Sequence, residues 1–208
     1  MTTWQGRAPV IGIVAILLFV AAFAVGGETP GADDPVTEVI SFYKSNDTEM
    51  QVTAGLLAFG AAAFVLFSCI LAARIRGAAA RVSSTANGIL AGGILIGLGW
   101  LIFAGLSFTL GDAVDHLDPV GIQTLNALNS DFWLPIAAGN AVFAWSVALG
   151  VLRHGALPSW LGWAALVIAV AAVTPAGFFA VPAIGIWTLV ASVVMLTERS
   201  APVVAPAA

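Results

Sequence analysis

The sequence predicts an all-α polytopic transmembrane helix bundle of six spans with both termini in the cytoplasm, and three observations carry that prediction. Of its 208 residues, 60% are hydrophobic and 9% charged, whereas a soluble domain needs about a quarter of its residues charged to coat its surface. Charge-free apolar stretches recur at lengths suited to a hydrocarbon core about 30 Å thick. Basic and acidic residues then fall into alternate loops, as expected when Lys and Arg are retained on the cytoplasmic side during insertion.

Four spans are plain: residues 10–25, 52–73, 86–109 and 132–152 contain no Asp, Glu, Lys or Arg. The apolar stretch 159–196 is too long for one helix and is interrupted by Thr174, Pro175, Gly177 and Pro182. It therefore reads as two spans, 159–173 and 182–196, with a tight turn between them. Residues 1–196 form one membrane domain on this reading. The Ala- and Pro-rich tail 197–208 is expected to be a disordered cytoplasmic extension.

Six spans place Arg7, Arg74, Arg76, Arg81, Arg153 and Arg199 on one side and leave only Lys44 opposite. Ten of the eleven acidic residues lie in the first and third loops, from Glu28 to Glu49 and from Asp112 to Asp131; Glu198 alone shares the basic side. A different span count scrambles this separation. Arg7 followed by an apolar core and Ala22-Phe23-Ala24 also fits a cleavable signal peptide. Both readings orient the chain alike, and the length of the first apolar run favours its retention as a span.

The two acidic loops share a pattern. Asp34-Pro35-Val36 and Asp118-Pro119-Val120 are offset by 84 residues, and each is followed at the same distance by an aspartate, Asp47 or Asp131. Asp before Pro suits the start of a short helix. Val36, Val39, Ile40 and Tyr43 then mark an apolar face in the first copy, and Val120, Leu125 and Leu128 in the second. Thr48 with Gln51 offers a capping box for the following span. The expected picture is two amphipathic helices lying over the outer face, within three outward hairpins repeated in parallel, the last without its loop helix. Helix capping alone also accounts for such residues.

Several functions are disfavoured. Cys69 is the sole cysteine, so no disulfide framework or thiolate zinc site forms within the chain. The spans carry no ionisable residue, which argues against a proton-coupled pump. His116 and His154 are the only imidazoles, and there is no zinc-protease helix, nucleophile elbow or phosphate-cradling loop. A Ser107, His116 and Asp112 arrangement can be drawn near the outer interface, but nothing specific supports it. No catalytic residue is assigned, and no cofactor is expected.

Two sets of candidate site residues remain. Asp112, Asp115, His116 and Asp118 form the densest polar cluster. If the third span extends by a turn, the first three share a helical face, with Asp131 able to add an oxygen, as a divalent cation site requires. Solvated carboxylates that hold the loop outside are the plainer account. Asn140, Trp100, Trp145 and Trp187 lie within spans and are candidates for binding a lipophilic ligand. An intramembrane amide also glues helices together, which is the preferred role for Asn140. The glycines of 86–109, with Ala137, Gly139 and Ala141, suit close helix packing. Trp4, Trp133, Trp160 and Trp163 fall at predicted interfaces, where indoles anchor.

The segment Leu157-Pro158-Ser159-Trp160-Leu161-Gly162-Trp163, after a Leu-Arg-His-Gly-Ala turn, resembles the signature of a broad group of uncharacterised actinobacterial integral membrane proteins. The resemblance covers the second half of the chain and extends more loosely to residues 51–76. Ser159 stands where that group usually has a basic residue. The family implies a six-helix membrane protein and this topology, and no activity or site residue.

The expected function is non-enzymatic: a bundle in a bacterial inner membrane that binds a lipophilic molecule or partners other membrane proteins. The alternative is a small-solute facilitator or transporter component. Expected partners are the lipid bilayer, a lipophilic small molecule and other membrane proteins, not nucleic acid. With Cys69 replaced, single cysteines at Asp33 and Asp115 should react with an impermeant thiol reagent in intact cells. Cysteines at Arg81 and Arg153 should react only after the membrane is opened, and labelling of position 81 from outside would contradict six spans.

Overall fold

The computed structural model describes residues 8–79 and 84–200. Trp4, Arg7, Arg81, the Arg199 side chain and the tail beyond Ser200 lie outside the described residues. Among those described, the regular elements are all helices: α1 (Val10–Gly26), α2 (Val36–Ser45), α3 (Asp47–Ala78), α4 (Ser84–Asp112), α5 (Pro119–Ser130), α6 (Trp133–His154), α7 (Ser159–Ala172) and α8 (Gly177–Ser200). The order apolar helix, short helix, apolar helix occurs twice and is followed by α7 and α8 without a short helix, as the parallel repeat anticipates. Apolar surroundings leave the backbone no partner but itself, which is why glycine-rich α4 is helical over 29 residues.

α3, α4, α8 and the run from Pro119 to His154 that contains α6 are long and apolar enough to cross a membrane. α1 and α7 are shorter apolar helices, about 26 and 21 Å long at 1.5 Å per residue. The helices overrun the apolar stretches because backbone hydrogen bonding continues into charged sequence. α3 thus begins at Asp47 and carries Arg74 and Arg76 in its last turns. Two expectations are corrected at the C-terminus. α8 starts at Gly177 and contains Pro182, which lies close enough to the helix start to forfeit a single ladder bond. Residues 197–200, expected to be disordered, continue α8; the Thr197 hydroxyl donates to the Val193 carbonyl, and Glu198 pairs with Arg74.

α4 is the central helix, flanked by α3 and α6. Its contact with α6 is backbone against backbone. A Cβ on Gly92 would lie 2.6 Å from the Phe143 Cα, one on Gly99 2.8 Å from Ile136 Cγ1, and one on Gly139 2.8 Å from the Ile96 nitrogen. α1 lies on α3, where a Cβ on Gly60 would be 3.2 Å from the Phe19 ring. α7 packs on α6, and α8 completes the bundle against α7, α6 and α1.

The end of the bundle bearing the arginines is pinned by Arg74, whose Nε donates to the Ala156 carbonyl at 2.8 Å. The signature segment follows directly. Leu157 and Leu161 are buried, the Leu161 carbonyl accepts from Trp187 Nε1 at 2.9 Å, and Gly162 leaves no room for a Cβ beside Leu152. Trp160 and Trp163 are exposed on the flank, as interfacial anchors would be. Packing thus accounts for Leu157, Leu161 and Gly162 of the motif.

At the acidic end, α2 and α5 pack on each other and over the ends of α3 and α4, burying Val39, Tyr43, Met50, Leu110, Val114 and Ile122 in a second apolar cluster. Three local expectations are corrected. Asp118 does cap α5, accepting from the Gly121 nitrogen at 2.6 Å, but Asp34 accepts from Gly31 and α2 has no side-chain cap. Thr48 lies inside α3 and bonds Asp47, so no capping box forms. The buried face of α5 is Ile122, Asn126 and Asn129, while Val120 and Leu128 are exposed. Polar partners below outweigh the apolar periodicity there.

The seam between α4 and α6 predicts a contrast between two alanine substitutions. Gly92→Ala should cost about 1–3 kcal/mol, the usual penalty for forcing atoms into a filled interface. Gly105→Ala, where nothing lies within 4 Å, should be neutral or stabilising. Reversible unfolding in mixed micelles reads both, and equal midpoints for the two variants would refute the seam.

Candidate functional site

Beneath the end of α5 and the loop after α1 the bundle holds an apolar cavity of about 560 Å3, within the range of about 300–1,000 Å3 typical of small-molecule sites. Its walls come from one face of α1 through Ile16, Phe19 and Phe23, from α4 through Ile96, Trp100 and Phe103, and from α8 between Phe178 and Leu189. Trp133 and Ile136 of α6 complete it, and Thr29, Asn129 and Ser130 form a polar rim. Among the described residues no ionisable side chain lines it.

The cavity follows from how α1 and α8 meet. Near the basic end a Cβ on Gly12 would run into Ser192 and Phe67, so the two helices touch. Toward the acidic end they are separated by the cavity. Val20, Phe23, Phe178 and Ile186 line it and are also exposed, so it opens sideways between α1 and α8. Trp100 organises the inner wall, with ring centroids 4.9 Å from Phe19, 5.7 Å from Phe103 and 5.8 Å from Phe23. On the basic side of the cavity, Phe143 packs tilted against Phe64 at 5.4 Å and meets Trp187 edge to face at 6.3 Å, filling the bundle axis.

The roof is held by side-chain amides of α5. Gln123 Nε2 donates to the carbonyls of Ala32 and Asp34, and Asn126 Nδ2 donates to that of Gly31 at 2.9 Å. Asn126 Oδ1 in turn accepts the Tyr43 hydroxyl at 2.9 Å. One amide therefore ties α2, α5 and the loop after α1 together. Burial pushes the Tyr43 hydroxyl from its ordinary 10.0 up to about 12, because the phenolate loses hydration in the apolar cluster. At the surface, Lys44 Nζ lies 2.8 Å from Asp115 Oδ1. That hydrogen bond, reinforced by the ammonium charge, holds the Asp115 carboxyl below its usual range.

Of the four residues expected to hold a metal, Asp112 ends α4, Asp115 is engaged by Lys44, and Asp118 caps α5. His116 lies in the exposed turn between them. Among the described residues no three His, Cys, Asp or Glu side chains come together in a metal-holding group, because the chain leaves the helix after Asp112 and the shared face ends there. The ligand-binding candidates divide. Trp100 lines the cavity. Trp187 is buried with its indole N–H bonded to Leu161, and Trp145 is 50% exposed on the outside of α6; neither belongs to the cavity wall. Asn140 is fully buried, yet neither its nitrogen nor its oxygen has a hydrogen-bond partner, so the expected bond across helices is not made. Sequence reading missed Asn126 and Gln123, since polar residues in an acidic loop look like surface until their partners are known.

Comparison with protein-family models, with curated proteins and with solved structures finds no match.

Tyr43 is the only tyrosine in the chain, so ultraviolet absorbance of tyrosinate reports the roof directly. The folded pKa is raised, so the Tyr43 contribution to stability is complete below the unfolded value of 10.0 and is lost as pH rises toward about 12. A spectrophotometric midpoint near 12, falling toward 10 in denaturant, is expected. A midpoint near 10 in the folded protein would contradict the buried roof.

Proposed function

We propose that this chain is a six-span protein of the bacterial inner membrane, with both termini cytoplasmic, that binds an uncharged lipophilic molecule without transforming it. The carrying observation is the cavity itself: apolar, aromatic, free of ionisable side chains and open sideways between α1 and α8. Lateral opening suits a ligand that reaches the protein through the bilayer, because the molecule never has to cross water. The segregated charges support the orientation, and Trp160 and Trp163 within the signature segment support its place at the cytoplasmic interface. Membership of the actinobacterial six-helix family belongs to the same reading.

Binding is favoured over solute passage by the packing under the cavity, where Phe64, Phe143 and Trp187 fill the axis. A facilitator needs a path past these rings.

Native mass spectrometry after mild detergent removal tests the proposal. Protein extracted from membranes should carry a bound neutral lipophile. Gly185→Leu, which places a branched side chain in the cavity, should emerge without it, whereas Gly185→Ala should retain it, since a Cβ there meets only Ile16 at 3.8 Å. Ligand-free parent protein, or equal retention by the leucine variant, would contradict the proposal.

A further inference from the structure

We infer that the cavity holds an uncharged glycerol ester, with one acyl chain inside and an ester carbonyl on the side-chain amide of Asn129; this rests on the cavity being a binding site. The wall is drawn from one end of the bundle. α1 contributes from Ile16 onward, α8 no further than Leu189, and α6 only Trp133 and Ile136 of its first turns. All of these lie toward the acidic end, where Thr29, Asn129 and Ser130 bring two hydroxyls and an amide to the cavity. A lipid entering between α1 and α8 therefore comes from the leaflet on that side and keeps its polar end there.

Asn129 lines the cavity and is only 4% exposed. Its Oδ1 accepts from the Ser107 hydroxyl at 3.4 Å. Among the described residues its Nδ2 donates to nothing, and that nitrogen is not one of the buried polar atoms sealed off without a partner, as both of those of Asn140 are. A nearly buried amide in the cavity wall thus keeps one open side, and that side carries two N–H donors. Ser130 differs, because its hydroxyl already donates to the Pro30 carbonyl at 3.3 Å. A donor left dry without an acceptor is costly, so the ligand group that belongs beside Asn129 is an acceptor.

The charges around the rim specify the rest of the polar end. Glu28 precedes Thr29 and Asp131 follows Ser130, and both carboxylates are exposed. Among the described residues no basic side chain lines the cavity, and Lys44 is engaged by Asp115. A phosphate at the rim would face like charge with no cation to offset its lost hydration. A hydrocarbon, for its part, offers the amide no acceptor. An ester carbonyl is an acceptor without charge, so the occupant is a neutral acylglycerol. Its ester lies at Asn129 and its free hydroxyl meets water beside exposed Thr29. One chain runs inward along Trp100 to Ile96, and the other leaves between Phe23 and Phe178 into the bilayer.

Full-length protein freed of lipid in mild detergent tests the assignment. It is titrated with dioleoylglycerol, with the dioleyl ether analogue and with dioleoyl phosphatidic acid, and native mass spectrometry reads each complex. The parent should bind the ester on the order of fivefold more tightly than the ether, the worth of about one hydrogen bond, and phosphatidic acid least. Asn129→Leu, in which Ser107 keeps its bond to the Phe103 carbonyl at 3.0 Å, should fold and bind ester and ether alike, and Asn129→Ala likewise. Gly185→Leu should weaken ester and ether together. Equal affinities of the parent for ester and ether, a preference that survives both Asn129 substitutions, or phosphatidic acid bound as tightly as the diester would overturn the acylglycerol assignment while leaving the cavity as a lipophile site. No saturable binding of any of the three, or affinities untouched by Gly185→Leu, would overturn the cavity reading itself.

Discussion

Lipid chains are as apolar as leucine side chains, so helices in a bilayer associate where their surfaces fit closely and not merely because they are hydrophobic. The fit on which this bundle depends is the seam between α4 and α6, where Gly92, Gly99 and Gly139 let two backbones touch. α3 closes on the other side of α4, and these three helices form the rigid part. α1 reaches it through α3, and α8 through α6 and α7. Because α1 and α8 are each anchored to a different side of that core, they approach closely where Gly12 admits Ser192 and diverge toward the acidic end. The cavity is the space left between them.

Several polar side chains in this chain tie separate segments together. Arg74 joins the turn before α7 to the end of α8, Trp187 joins α8 to α7, and Asn126 joins α2, α5 and the loop after α1. Each spans a long sequence separation, and those of Trp187 and of Tyr43 with Asn126 are buried. Against that background Asn140 stands apart, as a fully buried amide that ties nothing.

The helices are legible in the sequence because a charge-free apolar run leaves the backbone a single solution. The glycine seam is visible in outline, since small residues recur along residues 86–109 and at Ala137, Gly139 and Ala141. The cavity is not: it arises from how far α1 and α8 diverge, which depends on contacts with third and fourth helices. Depth within a span singles out Trp100, yet the same criterion selects Trp187 and Trp145, because depth along a helix does not say which way a side chain faces. The metal cluster fails for a related reason. Spacing within the sequence implies a shared face only while the helix continues, and α4 ends at Asp112.

The central claim is that the space between α1 and α8 is an open, occupied site and not a gap that collapses in a membrane. Electron cryomicroscopy of the protein in nanodiscs of native lipid tests it most directly. The account predicts an elongated non-protein density entering between Phe23 and Phe178 and reaching Trp100 and Ile96. Side chains of α1 and α8 packed against each other along their full length, with no density between them, would contradict it.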